Sequence, residues 1–140
     1  MKSETSRIAH IGIAVENLEL SLKLYRDTLG LPLHGRHSVE QDRVNVAFLP
    51  IGDTEIELLE AADPESPVAR FIARNGEGIH HVALEVEDID ASLQSMRASG
   101  YRLIDETPRP GAGGIRVAFV HPKSTGGVLL ELCEKNPSKQ

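Results

Sequence analysis

Apolar and polar positions alternate through "RIAHIGIAV" (Arg7 to Val15). Ile11, Ile13 and Val15 share one face, and His10, Gly12 and Ala14 share the other. A period of two predicts a half-buried strand. Asn17 is suited to capping a helix, and beyond it Leu18, Leu22, Tyr25 and Leu29 recur at spacings of four, three and four. That spacing predicts an amphipathic helix. Gly30 stands where a left-handed residue would end it. Three short extended runs are expected next, at about residues 31–39, 43–50 and 54–60.

The whole pattern then recurs. His10, Val15, Asn17, Leu18, Leu22 and Tyr25 fall on His81, Val86, Asp88, Ile89, Leu93 and Met96, each pair 71 positions apart. Gly100 follows the second helix, and extended runs are expected at about residues 102–106, 114–121 and 128–134. Each half therefore reads β-α-β-β-β. We expect one domain over residues 1–140, with a first module at 8–62 and a connecting helix and turn at 63–78. A second module follows at 79–134 and a tail at 135–140. Val68, Phe71 and Ile72 mark a short amphipathic helix in the connection. A repeat of about 70 residues is too long for a solenoid unit. The expected architecture is α+β, with two tandem βαβββ modules forming a curved pseudo-twofold sheet around a pocket.

The small-residue faces carry the candidate chemistry. His10 lies beside Gly12 and Ala14, and His81 repeats that arrangement with Ala83, while His80 points to the opposite face. One such histidine reads as a hydrogen-bonded core residue, but two at equivalent repeat positions weaken that reading. The last strands share a glutamate followed by leucine, Glu57-Leu58 and Glu131-Leu132. Glu131 sits among Val128, Leu129, Leu130 and Leu132, where an unpaired carboxylate is costly. It must be neutralised, paired or bound to a cation. Glu55 and Glu60 read instead as solvated strand-edge carboxylates. Two imidazoles and two carboxylates related by the repeat suit a borderline divalent ion such as Co²⁺, Mn²⁺, Ni²⁺, Fe²⁺ or Zn²⁺. His34, His37 and His121 have no partner at the repeat offset and read as surface or structural residues. Cys133 shares a face with Glu131 and reads as a packed thiol rather than a nucleophile.

Composition removes other classes. A formal charge of −6 over 140 residues argues against a general nucleic-acid binder. No apolar run approaches the roughly 20 residues that span a bilayer, and the opening residues have no signal-peptide layout. A single cysteine leaves no intramolecular disulfide framework, and a cytoplasmic location is expected.

The duplicated βαβββ pattern with inward His/Glu and His/Glu resembles the vicinal oxygen chelate (glyoxalase/bleomycin-resistance) superfamily over nearly the whole chain. Within it, "HIGIAVENLE", "SPVARFIARNGEGIHH", "LIDETPRPGAGG" and "HPKSTGGVLLEL" resemble the methylmalonyl-CoA epimerases. The resemblance implies a metal held by His10, Glu57, His81 and Glu131, with Co²⁺ foremost and Mn²⁺, Ni²⁺ or Zn²⁺ as alternatives. It implies a homodimer that interconverts (2R)- and (2S)-methylmalonyl-CoA through an enolate. In some members a glutamine stands where this chain has Glu57. Some members also have a glutamate base in the middle strand of the first half, where this chain has Val46. The second base is then Glu40 in the preceding loop, or Glu131 acting as both ligand and base, or a metal-bound water. Lys123, Gly113 and Gly114 are candidate substrate-binding residues, with plain turns as the alternative. Competing readings are a lactoylglutathione lyase of the glyoxalase I type, an Fe²⁺ extradiol dioxygenase, and a non-enzymatic small-molecule-binding module of the same fold.

Overall fold

A computed structural model describes residues 3–135, which divide into two compact units, residues 10–80 and residues 3–9 with 81–135. Of the expected tail at 135–140, Lys135 donates its N–H to the Val86 carbonyl at 2.9 Å, and residues 136–140 lie outside the described residues.

The unit at 10–80 holds most of β1 (Thr5–Val15), with β2 (Gly35–Val39), β3 (Val44–Ile51) and β4 (Thr54–Ala61). Their order is β2-β3-β4-β1, antiparallel except for the parallel pair β1 and β4. Helix α1 begins at Leu18, with the Asn17 side chain accepting the Leu20 N–H at 3.0 Å. After Leu22 it widens into a π-helical stretch, Lys23–Thr28, where the Leu29 N–H donates to the Leu24 carbonyl at 2.9 Å. The extra residue per turn rotates Leu29 off the apolar stripe. Leu29 is 58% exposed, whereas the periodicity placed it on the buried face. Gly30 ends the helix at φ +79°, as its position predicts. Helix α2 (Pro67–Asn75) is capped by the buried Ser66, whose hydroxyl accepts the Val68 N–H at 3.2 Å.

The other unit contains most of β5 (Gly78–Val86), with α3 (Ile89–Ala98), β6 (Arg109–Pro110), β7 (Arg116–Val120) and β8 (Leu130–Glu134). The order is β5-β8-β7-β6, with β5 and β8 parallel. Asp88 caps α3 by accepting the Ala91 N–H at 3.0 Å. The extended run expected at 102–106 is reduced to one bridge between Leu103 and Val120. There the Asp105 carboxylate takes the place of a strand carbonyl and accepts the Phe119 N–H at 2.8 Å. Pro108 and Pro110 then confine β6 to two residues, because proline cannot donate to a ladder.

The cores of the two units correspond residue by residue. Val15, Leu18, Leu22, Ala47, Leu49 and Leu58 pack together in the first. Val86, Ile89, Leu93, Ala118, Val120 and Leu132 form the same cluster in the second. Leu22 is 0% exposed and Leu93 is 1% exposed. Leu22→Ala or Leu93→Ala should each lower stability by about 2–5 kcal/mol through lost burial and the cavity left behind, measured as a shift of the denaturant midpoint. A loss below about 1 kcal/mol would mean that the helix does not contribute a packed core.

Candidate metal centre

Strand register assembles each half of the centre. Parallel pairing of β1 and β4 sets Gly12 opposite Glu57. His10, two residues earlier on the same face, brings its Nδ1 to 3.1 Å from Glu57 Oε2, and both side chains are 13% exposed. In the other unit, pairing of β5 and β8 sets Ala83 opposite Glu131. His81 Nε2 lies 3.2 Å from Glu131 Oε1, with side chains 7% and 10% exposed. The small residue in each row leaves the space into which histidine and glutamate lean. Two donor atoms about 2.1 Å from one ion and at right angles to each other stand about 3 Å apart. Both pairs match that separation, and imidazole with carboxylate suits a borderline divalent ion. The second oxygen of Glu131 accepts the Cys133 S–H at 3.4 Å, so Cys133 is packed against the candidate centre.

Each glutamate also has a phenylalanine across its antiparallel neighbour, Phe48 opposite Glu57 and Phe119 opposite Glu131. The His81 and Phe119 rings meet edge to face at 5.8 Å, and the Arg109 guanidinium lies 5.4 Å from the Phe119 centroid. Asp105 holds Arg109 at 3.5 Å. Sequence reasoning missed both phenylalanines, although they too are 71 positions apart.

The chain matches the glyoxalase/bleomycin resistance protein/dioxygenase superfamily over residues 9–119. The mitochondrial methylmalonyl-CoA epimerase of Dictyostelium discoideum is 39% identical, over 92% of this chain and 78% of that protein. The ethylmalonyl-CoA/methylmalonyl-CoA epimerase of Cereibacter sphaeroides is 39% identical, over 90% of this chain and 96% of that protein. A Streptomyces coelicolor methylmalonyl-CoA epimerase, solved with 2-nitronate-propionyl-CoA, superposes with a TM-score of 0.89 at 36% identity, covering 96% of this chain and 97% of that one. The chain belongs to the methylmalonyl-CoA epimerases of this superfamily. It shares their vicinal oxygen chelate fold.

The remaining candidate residues of this epimerase-family chain lie in the core and in turns. Val46 is 4% exposed and packs with Val44, Leu59 and Val68, so it is core. Glu40 lies in the exposed turn Glu40–Asp42 that joins β2 to β3. Gly113 and Gly114 adopt φ +71° and +78° in the turn Ala112–Gly114, which leads into β7. Exposed Lys123 occupies the turn Pro122–Ser124. His121 caps that turn, its Nδ1 accepting the Lys123 N–H at 3.1 Å. Loss of hydration, with the positive charges of Arg102 and Lys123, holds the His121 imidazole below its ordinary pKa. The structural role expected of His121 is therefore a cap. His80 sets its ring 5.0 Å from that of Phe71. Glu60 corrects an expectation. It is not a solvated edge carboxylate but accepts the Leu18 N–H at 2.8 Å and the Asn45 side-chain N–H at 3.3 Å, anchoring the start of α1. An unsatisfied N–H at a helix start invites such a carboxylate, but it came from a strand remote in sequence.

Proposed function

We propose that this chain interconverts (2R)- and (2S)-methylmalonyl-CoA, with one divalent metal ion per subunit held by His10, Glu57, His81 and Glu131. The observation that supports this most is the identical register of the two halves, which gives each a His–Glu pair, half-buried at 3.1 Å in the first and buried at 3.2 Å in the second. The epimerase relatives supply the substrate class. Co²⁺ is the foremost ion, with Mn²⁺, Ni²⁺ and Zn²⁺ as alternatives, and the working form is a homodimer in the cytoplasm.

When bound, the ion supplies charge stabilisation for the thioester and carboxylate oxygens as the enolate forms. The chain's residues do the rest. Glu131 takes the α-proton at its carboxylate, and the Cys133 S–H on Oε2 orients that group. The faces of Phe48 and Phe119 beside the two glutamates exclude water from the developing carbanion. Lys123 and the backbone N–H of Gly113 bind the anionic parts of the CoA ester, and Gly114, whose N–H donates to the Gly111 carbonyl at 3.2 Å, closes the turn that carries Gly113.

The test is α-proton exchange. Metal-loaded and chelator-treated protein are incubated with methylmalonyl-CoA in D₂O, and deuterium at C2 is followed by mass spectrometry. The expected result is rapid exchange with metal, collapse to the uncatalysed rate after chelation, and recovery on adding Co²⁺. Absence of exchange across a panel of divalent ions would reject this function.

A further inference from the structure

Cations in this acidic chain, whose formal charge is −6, commonly sit against carboxylates. Arg7 meets Glu85 at 2.9 Å, Arg43 meets Asp63 at 3.5 Å, and Arg116 meets Asp90 at 2.9 Å. Arg102 and Lys123 depart from that habit. Both are exposed, and the charges of both are felt at the His121 imidazole. Among the described residues, no carboxylate pairs with either side chain. Two like charges held near one another without a counter-ion repel, and a bound anion relieves that repulsion.

Backbone bonding fixes this cluster. The His121 N–H donates to the Arg102 carbonyl at 3.0 Å, and the Arg102 N–H donates to Ser124 Oγ at 2.8 Å. The Ser124 and Gly127 N–H groups close the turn beyond β7 on the carbonyls of His121 and Pro122, at 2.9 and 2.8 Å. His121 Nδ1 accepts the Lys123 N–H at 3.1 Å. Arg102 is thus tied to the turn that carries Lys123, and the fold itself keeps the two cations together.

Register decides which face they join. Leu103 bridges Val120, and both pack with Ile89 and Leu93 of α3. Alternation puts their neighbours Arg102, Ile104, Phe119 and His121 on the opposite face. Phe119 pairs with Glu131 on that face, and the Ile104 N–H donates to the Phe119 carbonyl at 2.9 Å. Ile104, Phe119 and Glu131 therefore form one row, and Ile104 is exposed although apolar. With strands about 4.8 Å apart and a rise of about 3.3 Å per residue, Arg102 stands about 12 Å from Glu131, backbone to backbone. Every residue of this track belongs to the unit at 3–9 and 81–135.

Resting on the proposed acyl-CoA substrate, we propose that Arg102 and Lys123 bind the phosphates of its nucleotide end, with Ile104 beneath the pantetheine arm. The arm is about four residues' worth of chain, roughly 14 Å when extended. That length runs from the Glu131 row across Ile104 to the two cations. The Arg102 guanidinium offers parallel donors to phosphate oxygens, and Lys123 adds a point charge on a flexible stem. A local positive cluster on a chain of negative net charge also draws a polyanion to one place on its surface. The turn Ala112–Gly114 lies at the opposite end of β7. Gly113 therefore serves the acyl end of the ester, and Lys123 serves the nucleotide end.

Calorimetric titration of the metal-free protein tests this independently of turnover. The ligands are CoA, adenosine 3′,5′-bisphosphate, pantetheine and ATP. The proteins are the parent, Arg102→Gln, Lys123→Gln and the double variant. Because both side chains are exposed, circular dichroism should be the same for each. The expected result is affinity for CoA and for adenosine 3′,5′-bisphosphate lowered about 5–10-fold by each substitution and about 50-fold by both. Pantetheine affinity should not move. Raising the ionic strength should weaken CoA binding to the parent and do so far less in the double variant. With Co²⁺ present, the ratio of kcat/KM for methylmalonyl-CoA to that for methylmalonyl-pantetheine should fall by about the same factors, through KM.

CoA affinity of the double variant within about twofold of the parent would overturn the assignment. So would a parent that binds pantetheine as tightly as CoA, or ATP more tightly than adenosine 3′,5′-bisphosphate. A parent that binds CoA through these residues yet exchanges no α-proton from methylmalonyl-CoA would overturn the epimerase reading and leave the phosphate site standing.

Discussion

Glu131→Ala should abolish turnover while leaving the fold intact. Glu131 is 7% exposed and faces His81 Nε2 at 3.2 Å, so the substitution removes a proposed ligand and a proposed base together. The two contributions should lower kcat by about 10³-fold or more. Stability should move in the other direction or not at all, because keeping a carboxylate in a dry interior is costly. Thermal unfolding should therefore occur at or above the parent temperature while α-proton exchange falls to background. A Glu131→Ala protein that retains a tenth or more of the parent exchange rate would remove Glu131 from the mechanism.

The second large effect is expected from His81→Ala, and it separates the two members of the pair. This change leaves the Glu131 carboxylate buried without its imidazole, a loss of about 3 kcal/mol for a broken buried pair. His81 also meets Phe119 edge to face at 5.8 Å, so aromatic packing is lost with the charge partner. Co²⁺ binding should weaken by more than about 100-fold, since loss of even an outer partner of a metal ligand costs 10–100-fold. Calorimetric titration with Co²⁺ and thermal melts of the metal-free protein measure the two parts independently. Unchanged Co²⁺ affinity in His81→Ala would remove His81 from the ligand set, whatever its effect on melting.

The contrast between these variants follows from information local in the chain. Which face of a strand a residue joins depends only on alternation, so His10 with Gly12 and His81 with Ala83 could be read directly. The shared glutamate-leucine pair of the last strands, 74 residues apart and so the 71-residue repeat offset plus a three-residue insertion, then identified their partners at Glu57 and Glu131, and the structure brings each histidine to its own glutamate. The same offset relates the two cores, from Leu22 and Leu93 to Ala47 and Ala118. It was equally available for Phe48 and Phe119, but a phenylalanine on an alternating strand looks like ordinary core until its cross-strand neighbour is known.

The sequence by itself determined the two βαβββ modules, their helix caps and glycine stops, and the face on which each half carries its histidine and glutamate. Those features rest on periods of two and 3.6 and on side-chain chemistry within a few residues. Only the tertiary structure decided how the strands align, because register between distant strands is set by packing and loop geometry. That register made Glu60 an anchor for α1, placed Val46 in the core, and substituted the Asp105 carboxylate for a strand carbonyl. It also turned His37 over Gly35 and against Phe48, a position that no local pattern around "GRHSV" encodes.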